Sequence, residues 1–143
     1  MVSYESAVTI GRPRAVVFPF LTDTAKQALW SDVAMRQITP GELATGSRLE
    51  VTFGKGPLKA TLGLEMTDVA AGSRMAFKTF SGPIDWQGEY RLEDAEGGAT
   101  RISQHGTLKF SGLWRLLAPF IGAEIRSGEI KELERLKAVV EKG

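Results

Sequence analysis

Few residues in this chain have the types needed for chemistry. It has one histidine, His105, and no cysteine. Disulfides, thiol catalysis and zinc–thiolate sites are therefore excluded. His105 is the natural first suspect for acid or base work, because its imidazole titrates near neutrality. A metal site would have to be built from carboxylates, and no EF-hand or other ligand spacing appears; neither a metal nor a cofactor is expected. The stretch GKGP at 54–57 has the glycine and lysine of a phosphate-gripping loop. The P-loop pattern, however, needs four residues between its glycines and Lys-Ser or Lys-Thr after the second, so a hairpin turn is the simpler reading.

The stretch GPIDWQGEYRLED, residues 82–94, carries more. Its alternation places Ile84, Trp86, Gly88, Tyr90 and Leu92 on one face of a strand and Asp85, Gln87, Glu89, Arg91 and Glu93 on the other. The next segment, TRISQHGTLKF, folds back on it as a hairpin closing through EGG at 96–98. On the polar face this register sets Glu93 opposite Arg101, Glu89 opposite His105 and Asp85 opposite Lys109, three complementary pairs. On the apolar face it sets Trp86 opposite Leu108, Gly88 opposite Gly106, Tyr90 opposite Gln104 and Leu92 opposite Ile102. A slip of one residue would mix the faces.

This register reads His105 as half of a surface pair with Glu89 rather than as a catalyst. It turns a hydroxyl and an amide, Tyr90 and Gln104, toward an apolar interior, where each costs about 1–3 kcal/mol if left without a partner. A ligand, a bound water or one another could supply those partners. No Asp, Glu, Lys or His falls on the inward face of these two strands. An enzyme built here would therefore use Tyr90 and Gln104, its candidate catalytic residues, to orient and polarise a carbonyl. The facing glycines let long strands bend, and if the space they leave is open they make room for a ligand between Trp86, Tyr90 and Gln104.

These residues need a frame. A chain of 143 residues is the size of one domain, spanning 1–143, with enough length for a real core. SYESAVTI predicts a first strand, ended by Gly11, and Pro13 suits the first position of a helix. Two short helices follow, the second capped by Thr22 or Asp23 and ending at Trp30. From Val33 to Phe110 the period becomes two, punctuated by TPGELATG, GKGP, VAAGS, FSGP and DAEGGA. Consecutive hairpins, and so an antiparallel sheet, are implied. From Leu113 to Val140 the composition is helical, with a covering stripe of Leu113, Leu117, Ile121 and Ile125, then Leu133, Leu136 and Val140. With 18 Lys plus Arg against 17 Asp plus Glu and no long run of either sign, no nucleic-acid surface is expected. The N-terminus lacks the pattern of a secretory signal, and LWRLLAPFIGAEI is too short and too interrupted to span a bilayer. A cytoplasmic protein, monomeric or homodimeric, is expected.

This order of elements resembles the helix-grip fold of the START, polyketide cyclase and birch-pollen-allergen superfamily. The stretches VTIGRPRAVVFPFLTDTAKQALW, PGELATGSRL, GPIDWQGEYRLE and LLAPFIGAEIRSGEIKELERLKAVVE are similar to bacterial members of the polyketide cyclase/dehydrase type. The resemblance implies an α+β fold in which a curved antiparallel sheet of about seven strands wraps a long C-terminal helix. It also implies a cavity between the two that takes a small apolar ligand. The candidate lining is Trp30; Phe53, Leu62, Leu64 and Phe77 from the middle strands; Trp86, Gly88, Tyr90, Gln104, Gly106 and Leu108 from the last hairpin; and Leu117, Phe120, Ile121 and Ile125 from the helix. The expected function is binding or carriage of a lipid, aromatic polyketide or isoprenoid. The alternative is a cyclase or dehydratase that works by shaping its substrate and polarising a carbonyl.

Overall fold

The computed structural model describes residues 2–31, 33–53, 57 and 59–142, with the backbone alone at Phe53. Most of the GKGP turn, Leu58 and the Phe53 side chain thus fall outside the described residues. The elements run β1 (Val2–Ile10), α1 (Arg14–Val17), α2 (Pro19–Thr22), α3 (Thr24–Gln27), β2 (Ala34–Gln37), β3 (Arg48–Phe53), β4 (Ala60–Ala70), β5 (Arg74–Ser81), β6 (Ile84–Ala95), β7 (Ala99–Phe110) and α4 (Trp114–Lys142). The strands form one sheet in the order β1-β7-β6-β5-β4-β3-β2, antiparallel at every pairing. Register shifts in the β4–β5 pairing, between Gly63 and Leu64 and between Met66 and Asp68, add the local bend that such bulges bring. This is the helix-grip arrangement.

The short helices follow their local chemistry. Pro13 is extended, with φ −70° and ψ 159°, so it stands just before the first helical residue, Arg14, rather than in the first helical position. α1 and α2 run on through Phe18, itself helical. Asp23 then breaks the path and caps α3, its side chain accepting from the Ala25 N–H at 2.9 Å.

β6 and β7 pair as Trp86 with Leu108, Gly88 with Gly106, Glu89 with His105 and Tyr90 with Gln104. Phe77 pairs with Gly88 on one side, and Tyr4 with Gly106 on the other. Four strands thus present one row, Tyr4–Gly106–Gly88–Phe77, with two rings flanking two absent side chains. The rings fill the gap. A Cβ on Gly88 would lie 2.5 Å from Phe77 Cζ, and one on Gly106 would lie 2.3 Å from Tyr4 Oη. The open space expected between the glycines is therefore occupied by protein, because aromatic side chains from the outer strands of the row lean inward over it.

On the outer face, none of the three complementary pairs across β6 and β7 forms an ion pair among the described residues. Glu89 turns away from His105 to Arg74, whose Nε donates at 2.9 Å, and to Arg91. Arg74 gives two N–H groups to Glu89 Oε2 and Arg91 gives one to Oε1, and two permanently charged guanidinium groups are better partners for a carboxylate than one imidazole. Burial alone would raise the Glu89 carboxyl, but the two guanidinium groups outweigh it and hold the pKa below the usual range. His105 is exposed.

α4 packs chiefly over β1 and closes the core, in which Ile10, Leu21, Leu62, Ile84, Ile102, Leu108, Leu133 and Leu136 are fully buried. Ile121 is buried, and Leu117 and Ile125 pack against the core. Leu113 is 83% exposed and Phe120 73%. Leu113 precedes the helix. Phe120 sits one residue off the stripe 117-121-125, a rotation of about 100° that carries it away from the sheet.

Two outcomes test the register. Gly106→Ala pushes a methyl into Tyr4, which cannot retreat because it is buried and hydrogen-bonded, and should cost about 1–3 kcal/mol in urea denaturation; an unchanged midpoint would mean that the row is not packed. His105→Ala should change stability by less than about 1 kcal/mol, as expected on a solvated face.

Candidate functional site

The site lies between α4, the end of the short-helix region and the inner face of β2 to β6. Trp30 anchors it. Its indole N–H donates to the Phe20 carbonyl at 2.9 Å, and its ring meets Tyr90 edge-on with centroids 6.4 Å apart. Trp86 is held in turn: its indole N–H donates to Tyr4 Oη at 2.9 Å, and its ring stands edge-on to Phe77 at 5.3 Å. The glycine row makes this possible, since it lets Tyr4 and Phe77 reach Trp86 from opposite sides.

These residues surround a cavity. Its walls are Trp30, Val33, Met35, Leu43, Leu49, Val51, Leu64, Met66, Met75, Phe77, Trp86 and Tyr90, and its polar groups are Gln27, Ser31, Glu129 and Glu132. The volume is about 60 Å³, room for only a few water molecules. Ser31, Val33 and Met35 are half-buried and form the rim. A larger concavity of about 410 Å³ lies on the outer face of β1, β7 and β6, lined by Glu5, Glu89, Arg91, Arg101 and His105 among others. It is the charged solvent side of the sheet and has none of the apolar wall a small hydrophobic ligand needs.

The polar end of the inner cavity comes from the helix. Ile121, Ile125, Glu129, Glu132, Leu136 and Val140 follow one another at spacings of three and four, so they share a face. Glu129 and Glu132 are therefore turned inward, and both are buried. Tyr90 Oη donates to Glu129 Oε2 at 3.4 Å, and Ser31 Oγ donates to Glu132 Oε1 at 3.1 Å. Burial, reinforced by the negative charge of Glu132, pushes the Glu129 carboxyl up to about 8. Burial and the nearby Glu129 likewise raise the phenols of Tyr4 and Tyr90. At neutral pH Glu129 carries a proton beside an un-ionised tyrosine. The pair can donate a hydrogen bond or a proton to whatever enters.

The remaining candidate residues fall as follows. Trp30, Leu64, Phe77, Trp86 and Tyr90 stand along the cavity wall. Leu62 and Leu108 are packed in the core, Ile121, Leu117 and Ile125 lie at the sheet–helix interface, and Phe120 is on the surface. Gly88 and Gly106 lie beneath rings. Gln104 does not face the cavity; its amide donates to Ser6 Oγ at 3.0 Å and to the Glu129 carbonyl at 2.8 Å, fastening α4 to the sheet. Sequence reasoning missed Glu129 and Glu132 because it followed only the apolar members of the helical stripe. The unbroken spacing through 125, 129, 132 and 136 was the signal. Among the described residues no group of three or more His, Cys, Asp or Glu is placed to hold a metal ion, and no helix is long and apolar enough to cross a membrane.

A sheet wrapped on a long helix, with a cavity between them, defines the class of fold, and the comparisons agree. The family model described as "Polyketide cyclase / dehydrase and lipid transport" matches residues 1–141; the chain belongs to that family. Among solved structures it is similar to TTHA0849 from Thermus thermophilus, at 15% identity, with 96% of each chain covered and a TM-score of 0.79. It is also similar to the Zhui aromatase/cyclase from Streptomyces sp. R1128, at 14% identity, covering 98% of this chain and 93% of that one with a TM-score of 0.78. The third is Ara h 8.0201, at 14% identity, covering 99% and 98% with a TM-score of 0.70. Likeness at such identities speaks for the fold. No curated protein matches the chain.

The raised Glu129 pKa has a consequence for stability. The folded state holds this proton up to about pH 8, whereas the unfolded chain releases it near 4.5. The associated stability is thus complete below about 4.5 and declines as pH rises to about 8, by up to about 1.4 kcal/mol per pH unit. Glu89, with its lowered pKa, acts in the opposite sense and only in acid. Urea denaturation from pH 5 to 8.5 should show the decline in the parent and a much flatter profile in Glu129→Gln. An equal slope in both would assign the proton elsewhere.

Proposed function

We propose that the chain binds a small, largely apolar molecule in the cavity between sheet and α4, as a carrier or binding protein for a lipid, aromatic polyketide or isoprenoid. One observation carries this reading: a continuous apolar and aromatic wall that ends in a few convergent polar groups, the usual composition of a small-molecule site. The cavity is narrow, but Met35, Met66 and Met75 line it. Methionine side chains are unbranched and repack readily, so the space can widen around a guest without moving the sheet. Belonging to a family described by cyclisation, dehydration and lipid transport supports the same reading.

A second reading draws on the Tyr90–Glu129 pair. A carboxyl held protonated near neutrality beside a phenol is poised for general acid work, as a dehydratase or cyclase would need. Gln104, expected to help polarise a carbonyl, has its amide committed to Ser6 and α4; in this reading Tyr90 keeps that role and Glu129 replaces Gln104 beside it.

Native mass spectrometry of freshly purified protein should show a small molecule travelling with the chain. Val51→Phe fills the cavity from the β3 wall, and it should weaken binding of the neutral apolar dye Nile red by at least about tenfold while the protein stays folded. Full binding by that folded variant would place the dye outside the cavity and overturn the reading.

A further inference from the structure

The polar end of the cavity is built almost wholly of acceptors. Gln27 is 5% exposed. Its Nε2 donates to the Leu21 carbonyl at 2.7 Å, while its Oε1 is buried and has no partner. An acceptor buried without a donor is destabilising, and a native fold retains one for a reason. On the same cavity stand the carboxyls of Glu129 and Glu132. The donors nearby are already turned inward on the protein: Tyr90 on Glu129, Ser31 on Glu132, the Trp30 indole on Phe20 and the Trp86 indole on Tyr4. Among the described lining residues there is no Lys, Arg or His. A head group arriving here meets three groups rich in acceptor oxygens beside aromatic rings; the one donor among them is the Glu129 proton, which a cation seated there displaces.

We propose that the ligand is a hydrophobic amine, an apolar body carrying a protonated amino group that seats among Gln27 Oε1, Glu129 and Glu132. This rests on the binding reading above and names its ligand class. A primary ammonium has three N–H donors and no acceptor, the complement of what the site presents. Its charge is also of the kind that aromatic rings attract, and Trp30 and Tyr90 line the same cavity. A carboxylate ligand would bring acceptors to acceptors and negative charge toward two acids. An alcohol offers one donor and no charge.

The proposal has a protonic signature. Among the described residues, the titratable groups facing Glu129 are Tyr4 on β1, Tyr90 on β6 and Glu132 on its own helix, while Gln27, Trp30 and Gln104 bring no charge. Both phenols are raised further from neutrality, so the proton that moves near pH 7 belongs to the acids. Glu129 holds it, and an ammonium seated beside it expels it to solvent.

Titration calorimetry with octylamine, octan-1-ol and octanoate at pH 7, in two buffers of different ionisation enthalpy, tests this on the parent protein. Octylamine should bind at least about tenfold more tightly than octan-1-ol, with octanoate weakest, and octylamine alone should release protons. Glu129→Gln should lose about tenfold or more for octylamine and stay within about threefold for octan-1-ol. Should that variant not fold, the buffer comparison on the parent decides by itself. Octan-1-ol binding as tightly as octylamine, or octylamine binding without proton release, overturns the amine while leaving the cavity reading in place. If no octyl compound binds and Nile red does not either, both fall.

Discussion

The row Tyr4–Gly106–Gly88–Phe77 is the constraint on which the rest of the structure depends. Two adjacent positions without side chains let two rings from flanking strands descend onto the sheet, where they pin Trp86 by a hydrogen bond on one side and an edge-on ring contact on the other. A side chain at either glycine would meet ring atoms well inside van der Waals contact, so the row accepts only glycine without rearrangement. With Trp86 fixed, Phe77 and Trp86 become a rigid wall of the cavity. The neighbouring row, Ser6–Gln104–Tyr90–Met75, then falls beneath α4 at Glu129. Gln104 spans the two layers by bonding both Ser6 and the Glu129 carbonyl. Sheet, helix and polar end are thus set by the register of one hairpin.

The polar end carries a physical tension. Two carboxyls three residues apart on a helix, both turned to an apolar interior, cannot both ionise without a large desolvation penalty. Glu129 relieves it by keeping its proton, and hydrogen bonds from Tyr90 and Ser31 reach the two groups. The unpartnered Gln27 Oε1 adds to the same imbalance: more acceptors than donors, in a space too small to solvate them fully. Such imbalance lowers stability, and it is what the proposed amine, with donors and positive charge, would offset. Stability sacrificed at a site in this way is common where structure serves binding.

Much of the fold was legible in the sequence. Alternation in 82–94 and 100–110 determined which residues face inward, and only one register matched apolar to apolar across the hairpin. Pairing at 86–108, 88–106 and 90–104 was thereby fixed, as was the exposure of His105, because a strand has two faces and the core accepts one. The described turns, a cap at Thr22 or Asp23, of which the structure uses Asp23, and the order of elements were equally local matters. What the glycines are for was not legible, since Tyr4 and Phe77 reach them from strands distant in sequence. Glu89 leaving His105 for Arg74 required knowing that β5 lies beside β6. Glu129 and Glu132 lay on a readable stripe, but periodicity states only that residues share a face. That two carboxyls stay buried there, and that one remains protonated near neutrality, depends on desolvation by the whole surrounding fold, a quantity set in three dimensions by residues from elements far apart in the chain.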